Sequence, residues 1–257
     1  MAKVLLVASN YGTWGEEAQA PWDILKAAGH NVTLCTPLGK KPLPLEISVD
    51  PGFFDPLVQA NVNPPDVCER VKQLVDGSEW ANPITLKDAE MVDYDALVIA
   101  GGLGAMIDLG NNFNLHKLIR DAVNSDKIVA ALCYAVAALV FCRDHKNEYR
   151  SIIWGKKVTA HPRAWDFYGP DFDFTYGLYG ATPDNNGTDV HTPGFLFPLE
   201  DITRDAVGPQ GACIARITAR RNDPEVHYDH PFITGTSVES SIAFGELVRD
   251  VLKKRGL

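Results

Sequence analysis

The stretch Lys127-Ile-Val-Ala-Ala-Leu-Cys-Tyr-Ala-Val-Ala-Ala-Leu-Val-Phe141 constrains the fold more than any other part of this chain. Its first half is a short apolar, β-branched run preceded by the polar Asn124-Ser-Asp126, the pattern of a buried strand. Its second half is rich in Ala, Leu and Phe with no breaker and predicts a helix. Cys133 falls at the junction, between Ala131 and Ala135. This is the cysteine version of a nucleophile elbow, a sharp turn that leaves room only for small residues two positions to either side. A side chain on that turn projects past the end of the sheet at the start of a helix. Unpaired N–H groups and the helix dipole there favour a thiolate and lower the thiol pKa. The competing expectation is a buried structural cysteine.

The same alternation runs through the chain. Val4–Ala8 reads as a first strand, followed by a helix from about Glu16 to Ala28 that Gly29 closes, and Asn31–Thr36 reads as a second strand. Residues 37–93 carry eight prolines and only one helical stretch, Pro65–Asp76; Phe53, Phe54, Leu57 and Trp80 need burial, which predicts an ordered insertion covering a sheet edge. Tyr94–Ala100 predicts a third strand, about 114–123 a helix, and Lys156–Thr159 a short strand. Leu199–Ala206 predicts a helix, Ala212–Ala219 a strand, Pro231–Gly235 a last strand, and Ser237–Arg255 a closing helix capped by Thr236 or Ser237. Strands alternating with helices imply an α/β fold with a mostly parallel sheet covered on both faces. Ligands of such sheets bind beyond the carboxyl ends of the strands, where the loops after the first strand, the third strand and Leu132 converge.

Two further stretches reach that end. Gly101-Gly102 follows a buried strand, so the backbone there can approach a ligand closely. The N–H groups near Gly102 and Leu103, with that of Tyr134, suit an oxyanion hole beside the sulfur; the plain alternative is a tight turn. Glu17 begins the first helix, either as a dipole partner or aimed into the crevice, where a neighbouring thiolate would raise its pKa. Its neighbour Glu16 is expected to face solvent. Trp14, in the loop after the first strand, joins the substrate-binding set.

The formal net charge of −9 and the absence of a basic block argue against nucleic acid and anionic membranes as partners. No apolar run is long enough to span a bilayer, and Met1-Ala-Lys3 leads straight into the first strand with no signal-peptide pattern. The five cysteines, Cys35, Cys68, Cys133, Cys142 and Cys213, are scattered and form no C-x-x-C pair. That predicts neither disulfides nor a zinc site, and fits the reducing cytoplasm. The expected partner is a small molecule.

Together, Glu17-Ala-Gln-Ala-Pro21, Ala100-Gly-Gly-Leu-Gly-Ala-Met-Ile-Asp108, Val129–Ala138 and Ile233-Thr-Gly-Thr-Ser-Val-Glu-Ser-Ser241 resemble the ThiJ/PfpI (DJ-one) superfamily. This is a branch of the class I glutamine amidotransferase-like fold, and the insertion at 37–93 resembles its heat-shock-type glyoxalase III branch. The resemblance implies one domain over residues 1–257, with insertions at about 37–93 and 160–195. It implies a three-layer, flavodoxin-like sandwich, a homodimer and no cofactor or metal. It makes Cys133 the nucleophile and Glu17 the protonated glutamate beside it. Activities implied include glyoxalase III, deglycation, peptidase, isocyanide hydratase and chaperone holding.

Two departures stand out. The branch usually has His directly after the cysteine, where this chain has Tyr134, and commonly His in the glycine loop, where it has Leu103. A tyrosine, with its pKa of about 10, is a poor base at neutral pH. The candidate replacements are His161, His191 and His230, with His191 the first choice; each is otherwise a surface or capping histidine. The aromatic run 161–176 either walls a pocket or packs on itself, and its Asp166, Asp171 and Asp173 match no metal spacing. Two functions follow: a Cys-dependent lyase or hydrolase attacking a small electrophilic carbonyl or nitrile-like carbon, or an oxidation sensor or holding chaperone without turnover.

Overall fold

A computed structural model describes the chain except residues 56–57, 167–174, 179–187 and 192–197, and describes 175–178 and 188–191 as backbone only. Its centre is a seven-stranded sheet in the order Val226–Asp229, Phe232–Gly235, Ile128–Leu132, Ala96–Ile99, Lys3–Val7, Asn31–Thr36, Ile84–Thr85. Every neighbouring pair is parallel except the first, an antiparallel hairpin at the edge. The inner strands Ala96–Ile99, Ile128–Leu132 and Phe232–Gly235 are buried at every residue, as a parallel sheet covered on both faces requires.

The covering layers follow from handedness. The crossover from Lys3–Val7 to Asn31–Thr36, through helix Gly15–Ala27, runs one way across the sheet. The crossover from Ala96–Ile99 to Ile128–Leu132, through helix Phe113–Asn124, runs the other way. Right-handed connections in opposite directions put their helices on opposite faces. Helix Ser241–Lys254 packs against Gly15–Ala27, while Val136–Phe141 packs with Phe113–Asn124 and Leu199–Val207. The result is a three-layer α/β sandwich. The strand order reverses between Lys3–Val7 and Ala96–Ile99, so a crevice opens beyond Val7 and Ile99, beside Leu132.

Residues 37–93 do finish an edge: Ile84–Thr85 adds the last strand beside Asn31–Thr36. Trp80 is fully buried, edge-on to Trp22 at 6.2 Å. Phe53 packs edge-on against Trp14, but Phe54 lies exposed on the small antiparallel pair Phe54–Asp55/Ala60–Asn61, and Leu57 lies outside the described residues. Two expected elements differ. The strand expected over Ala212–Ala219 stops at Ile214, where it pairs with Lys157–Thr159 outside the main sheet. Beyond it the Arg216 guanidinium bonds Asp223 and Glu225 and folds the chain back. The last helix begins at Ser241 after a 3₁₀ turn at Val238–Ser240, because the Ser237 hydroxyl donates to the Glu239 carboxylate instead of capping. Among the described residues no helix is long and apolar enough to cross a membrane.

Candidate active site

Ile128–Leu132 delivers the chain to Cys133, whose φ is +56°. A left-handed conformation costs a residue with a Cβ about 1–2 kcal/mol, and such strain gathers at functional sites. Ala131 and Ala135 are fully buried on either side, which explains why only small residues fit the elbow. The turn continues as a 3₁₀ turn, Cys133–Ala135, before a short α-helix, Val136–Phe141. Cys133 is 4% exposed.

The glycine loop closes over the sulfur. A Cβ on Gly101 would lie 2.3 Å from Glu17 Oε2, 2.4 Å from the Leu132 carbonyl oxygen and 2.9 Å from Cys133 Cβ. Gly101 is therefore where the loop touches both candidate groups, and no side chain fits. Gly102 has φ +95°, and its missing Cβ leaves room for the Trp14 backbone, which donates its N–H to the Gly101 carbonyl at 3.2 Å. The loop is thus more than a tight turn. The backbone N–H groups of Gly102 and Tyr134 reach the Cys133 sulfur. Leu103 is buried beside them, and the Trp14 ring leans on Phe53 with its indole N–H unpartnered among the described residues.

Glu17 enters from the first turn of helix Gly15–Ala27, almost completely buried, and its carboxyl hydrogen-bonds the Cys133 thiol. Burial is the main force raising its pKa well above the carboxylate range; the neighbouring Glu239 and Glu16 charges add to it, and the bonds to Cys133 and Gly101 oppose it. Glu17 is therefore held protonated. The expected low-pKa thiol is corrected. Burial first, then the Glu17 carboxyl, raise Cys133 well above the thiol range, and the two backbone N–H groups only partly offset them. The helix behind the elbow is six residues long and starts as a 3₁₀ turn, so its dipole does not outweigh desolvation.

Glu16 does not face solvent. It is as buried as Glu17, and its carboxylate takes both terminal nitrogens of Arg221, one at 2.8 Å. Arg221 also donates to the Val62 carbonyl at 2.9 Å. The helix start is covered by Leu45 and Ser48, bonded to Thr13 and Gly15, and by Val62 and Arg221, so an acid there needs a partner, and a guanidinium fork suits it.

Next to the elbow, on Tyr134, stands a cluster that the sequence did not single out as a set. The Tyr134 hydroxyl donates to Asp166 Oδ1 at 2.5 Å. His161 Nδ1 meets the same oxygen at 2.8 Å, and the Leu199 N–H approaches Oδ2 at 3.4 Å. The His161 ring stacks on Tyr134 at 4.6 Å and meets Trp165 edge-on at 5.4 Å. Among the described histidine side chains of the three considered, His161 stands beside the elbow, stacked on Tyr134. His230 sits before strand Phe232–Gly235, at the opposite end of the sheet from Cys133, bound to Asp126 at 2.7 Å. The backbone of His191 lies in a strand pair with Thr175–Leu178, and its side chain lies outside the described residues, as do Asp171 and Asp173. The available signal for the cluster was the short His161-Pro-Arg-Ala-Trp-Asp166 spacing, which brings both side chains round one helical turn, Arg163–Asp166. Among the described residues no group of three or more acidic, His or Cys side chains is arranged to hold a metal ion.

A family model described as ThiJ/PfpI family-like matches residues 8–163, which include Glu17, the glycine loop, Cys133 and His161. A protein named glutathione-independent glyoxalase hsp3101, from Schizosaccharomyces pombe, is 30% identical over 208 residues, covering 74% of this chain and 77% of that one. Among solved structures, the Rapid Encystment Protein 24 kDa of Francisella tularensis superposes with a TM-score of 0.72 at 20% identity, covering 97% of this chain and 98% of that one. Glyoxalase III of Candida albicans superposes with a TM-score of 0.67 at 20% identity, covering 96% and 95%. At that identity both are likenesses of fold.

Proposed function

The chain belongs to the ThiJ/PfpI family, and from that premise we propose that it is a cysteine-dependent enzyme acting on a small electrophilic carbonyl compound. The observation that carries this reading is the Glu17 carboxyl, held protonated, on the Cys133 thiol at a strained and buried elbow. Cys133 Sγ bonds to the carbonyl carbon and the π pair moves onto oxygen. The thiol proton reaches that oxygen by way of Glu17, giving a neutral hemithioacetal. The N–H groups of Gly102 and Tyr134, already aimed at the sulfur, stand beside the developing oxyanion. The S. pombe relative is named a glyoxalase, which supports the carbonyl class.

Oxidation sensing draws on exposed cysteines, and Cys133 is buried with an acid on its sulfur, an arrangement that suits proton transfer during turnover. Leu103 and the rings of Tyr134, His161 and Trp165 make the surroundings apolar, which suits an aryl-bearing carbonyl better than methylglyoxal. The test compares phenylglyoxal and methylglyoxal, following mandelate and lactate, with native mass spectrometry of wild type and Cys133→Ala under substrate to read the adduct. The expected result is mandelate formed faster than lactate, an adduct on Cys133, and loss of both products in Cys133→Ala. An adduct on other residues only, or full turnover by Cys133→Ala, refutes the reading.

A further inference from the structure

Addition to a carbonyl is only the first half of a reaction. Completing it requires a group that removes a proton from the Cys133-bound substrate. Glu17 is held protonated and is an acid at that stage. Tyr134 is committed as a donor to Asp166. His161 is differently placed. A carboxylate only accepts, so in the neutral imidazole the nitrogen facing Asp166 Oδ1 at 2.8 Å, Nδ1, carries the ring proton, and Nε2 keeps its lone pair. Nε2 has no partner among the described residues. The ring is held on one face by Tyr134, the residue that follows the nucleophile, and on its edge by Trp165. Its side chain is 13% exposed against 2% for Asp166, so the anchor is buried and the imidazole sits at the rim of the same dry region.

We propose that His161 Nε2 is the general base of this site, and that Asp166 and Tyr134 are the residues that position it. This rests on the reading of Cys133 as nucleophile. The step His161 performs is proton transfer alone: Nε2 takes the C–H proton of the Cys133 hemithioacetal, the bonding pair stays on the substrate, and the proton is returned at the neighbouring carbon, leaving an α-hydroxy thioester that one water hydrolyses to the hydroxy acid and the free Cys133 thiol. Asp166 selects the tautomer and orientation. The Tyr134 hydroxyl shares the same oxygen and sets the ring against which the imidazole stacks. The base therefore comes from the segment after strand Lys157–Thr159 and not from the residue next to the cysteine.

The experiment uses phenylglyoxal with the wild type, His161→Gln, His161→Ala and Asp166→Asn, reading both the Cys133 adduct and mandelate. His161→Gln is expected to form the adduct yet make mandelate about a hundredfold more slowly, the usual scale for a lost acid–base group. Added imidazole is expected to restore mandelate formation in His161→Ala, which a structural role would not permit. In Asp166→Asn the amide N–H donates to Nδ1, moves the ring proton to Nε2 and lowers turnover although His161 is present. Mandelate formation in His161→Gln at the wild-type rate overturns the proposal. So does an adduct that forms in the wild type without mandelate, or an His161→Ala defect that imidazole leaves unchanged. No adduct on wild-type Cys133 overturns the preceding reading, and this one with it.

Discussion

A carboxyl and a thiol that share a buried site compete for protons, because two charges there repel each other and neither is solvated. Glu17 and Cys133 are in that position, both pushed towards their protonated forms. Replacing Glu17 with Gln keeps a hydrogen-bond donor but removes the transferable proton and the negative charge that forms at high pH. One of the influences raising the Cys133 pKa then disappears, so the thiol titrates at lower pH than in the wild type. Iodoacetamide alkylation of Cys133 near pH 8 is therefore expected to speed up in Glu17→Gln while turnover falls by roughly a hundredfold. An alkylation profile and turnover indistinguishable from wild type would make Glu17 a helix-dipole residue only.

At the scale of elements, the glycine loop and the π-helical turn Ala105–Leu109 that follows it hold the crevice in shape. Gly101→Ala forces a methyl into Glu17 and the elbow, an overpacking worth roughly 1–3 kcal/mol. The expected outcome is a lower Tm by calorimetry together with lost turnover; wild-type activity in that variant would mean that the loop stands off the nucleophile. In the π turn, Asp108 accepts the Asn10 N–H at 2.8 Å, and its other oxygen is buried with no partner among the described residues. Burial pushes its pKa up to about 6. The folded pKa lies above the unfolded one, so the neutral form is favoured in the fold. Its stabilising contribution is full below about pH 4 and is lost as pH rises through about 6, roughly 3 kcal/mol for a shift of about two units. Asp108→Asn is expected to be more stable than wild type at pH 7.5, with little difference at pH 4.5, in urea unfolding at both pH values. An equal difference at the two pH values would show that Asp108 does not titrate in this window.

At the scale of the molecule, Arg221 ties Glu16, 205 residues earlier, to Val62 in the proline-rich segment. One side chain thus joins the start of the first helix, the roof over it and a loop near the end of the chain. Arg221→Met leaves the buried Glu16 without its partner. The expected loss is about 2–3 kcal/mol in chemical denaturation, below the range for a fully buried pair because Arg221 is partly in water. A shift of under about 0.5 kcal/mol would mean that water replaces the guanidinium at no cost.

The amino-acid sequence alone determined the elements that rest on local pattern. The buried strands around Leu5, Val98 and Ala130, the strand-to-helix turn at Cys133, and the glycines that let the backbone approach it are all legible there. Each depends on side-chain period, steric size or turn chemistry, which neighbours in sequence carry. What the sequence left open depends on which charges meet across the fold and how much water reaches them. Glu16 and Glu17 are adjacent acids in one helical turn, yet one is paired to Arg221 and the other to a thiol. His161, His191 and His230 are equivalent as letters, and only the docking of Asp166 against Tyr134 places the first beside the elbow. The sign of the Cys133 shift was settled the same way. A helix terminus is visible in sequence, whereas the desolvation that outweighs it exists only once the glycine loop has closed over the sulfur.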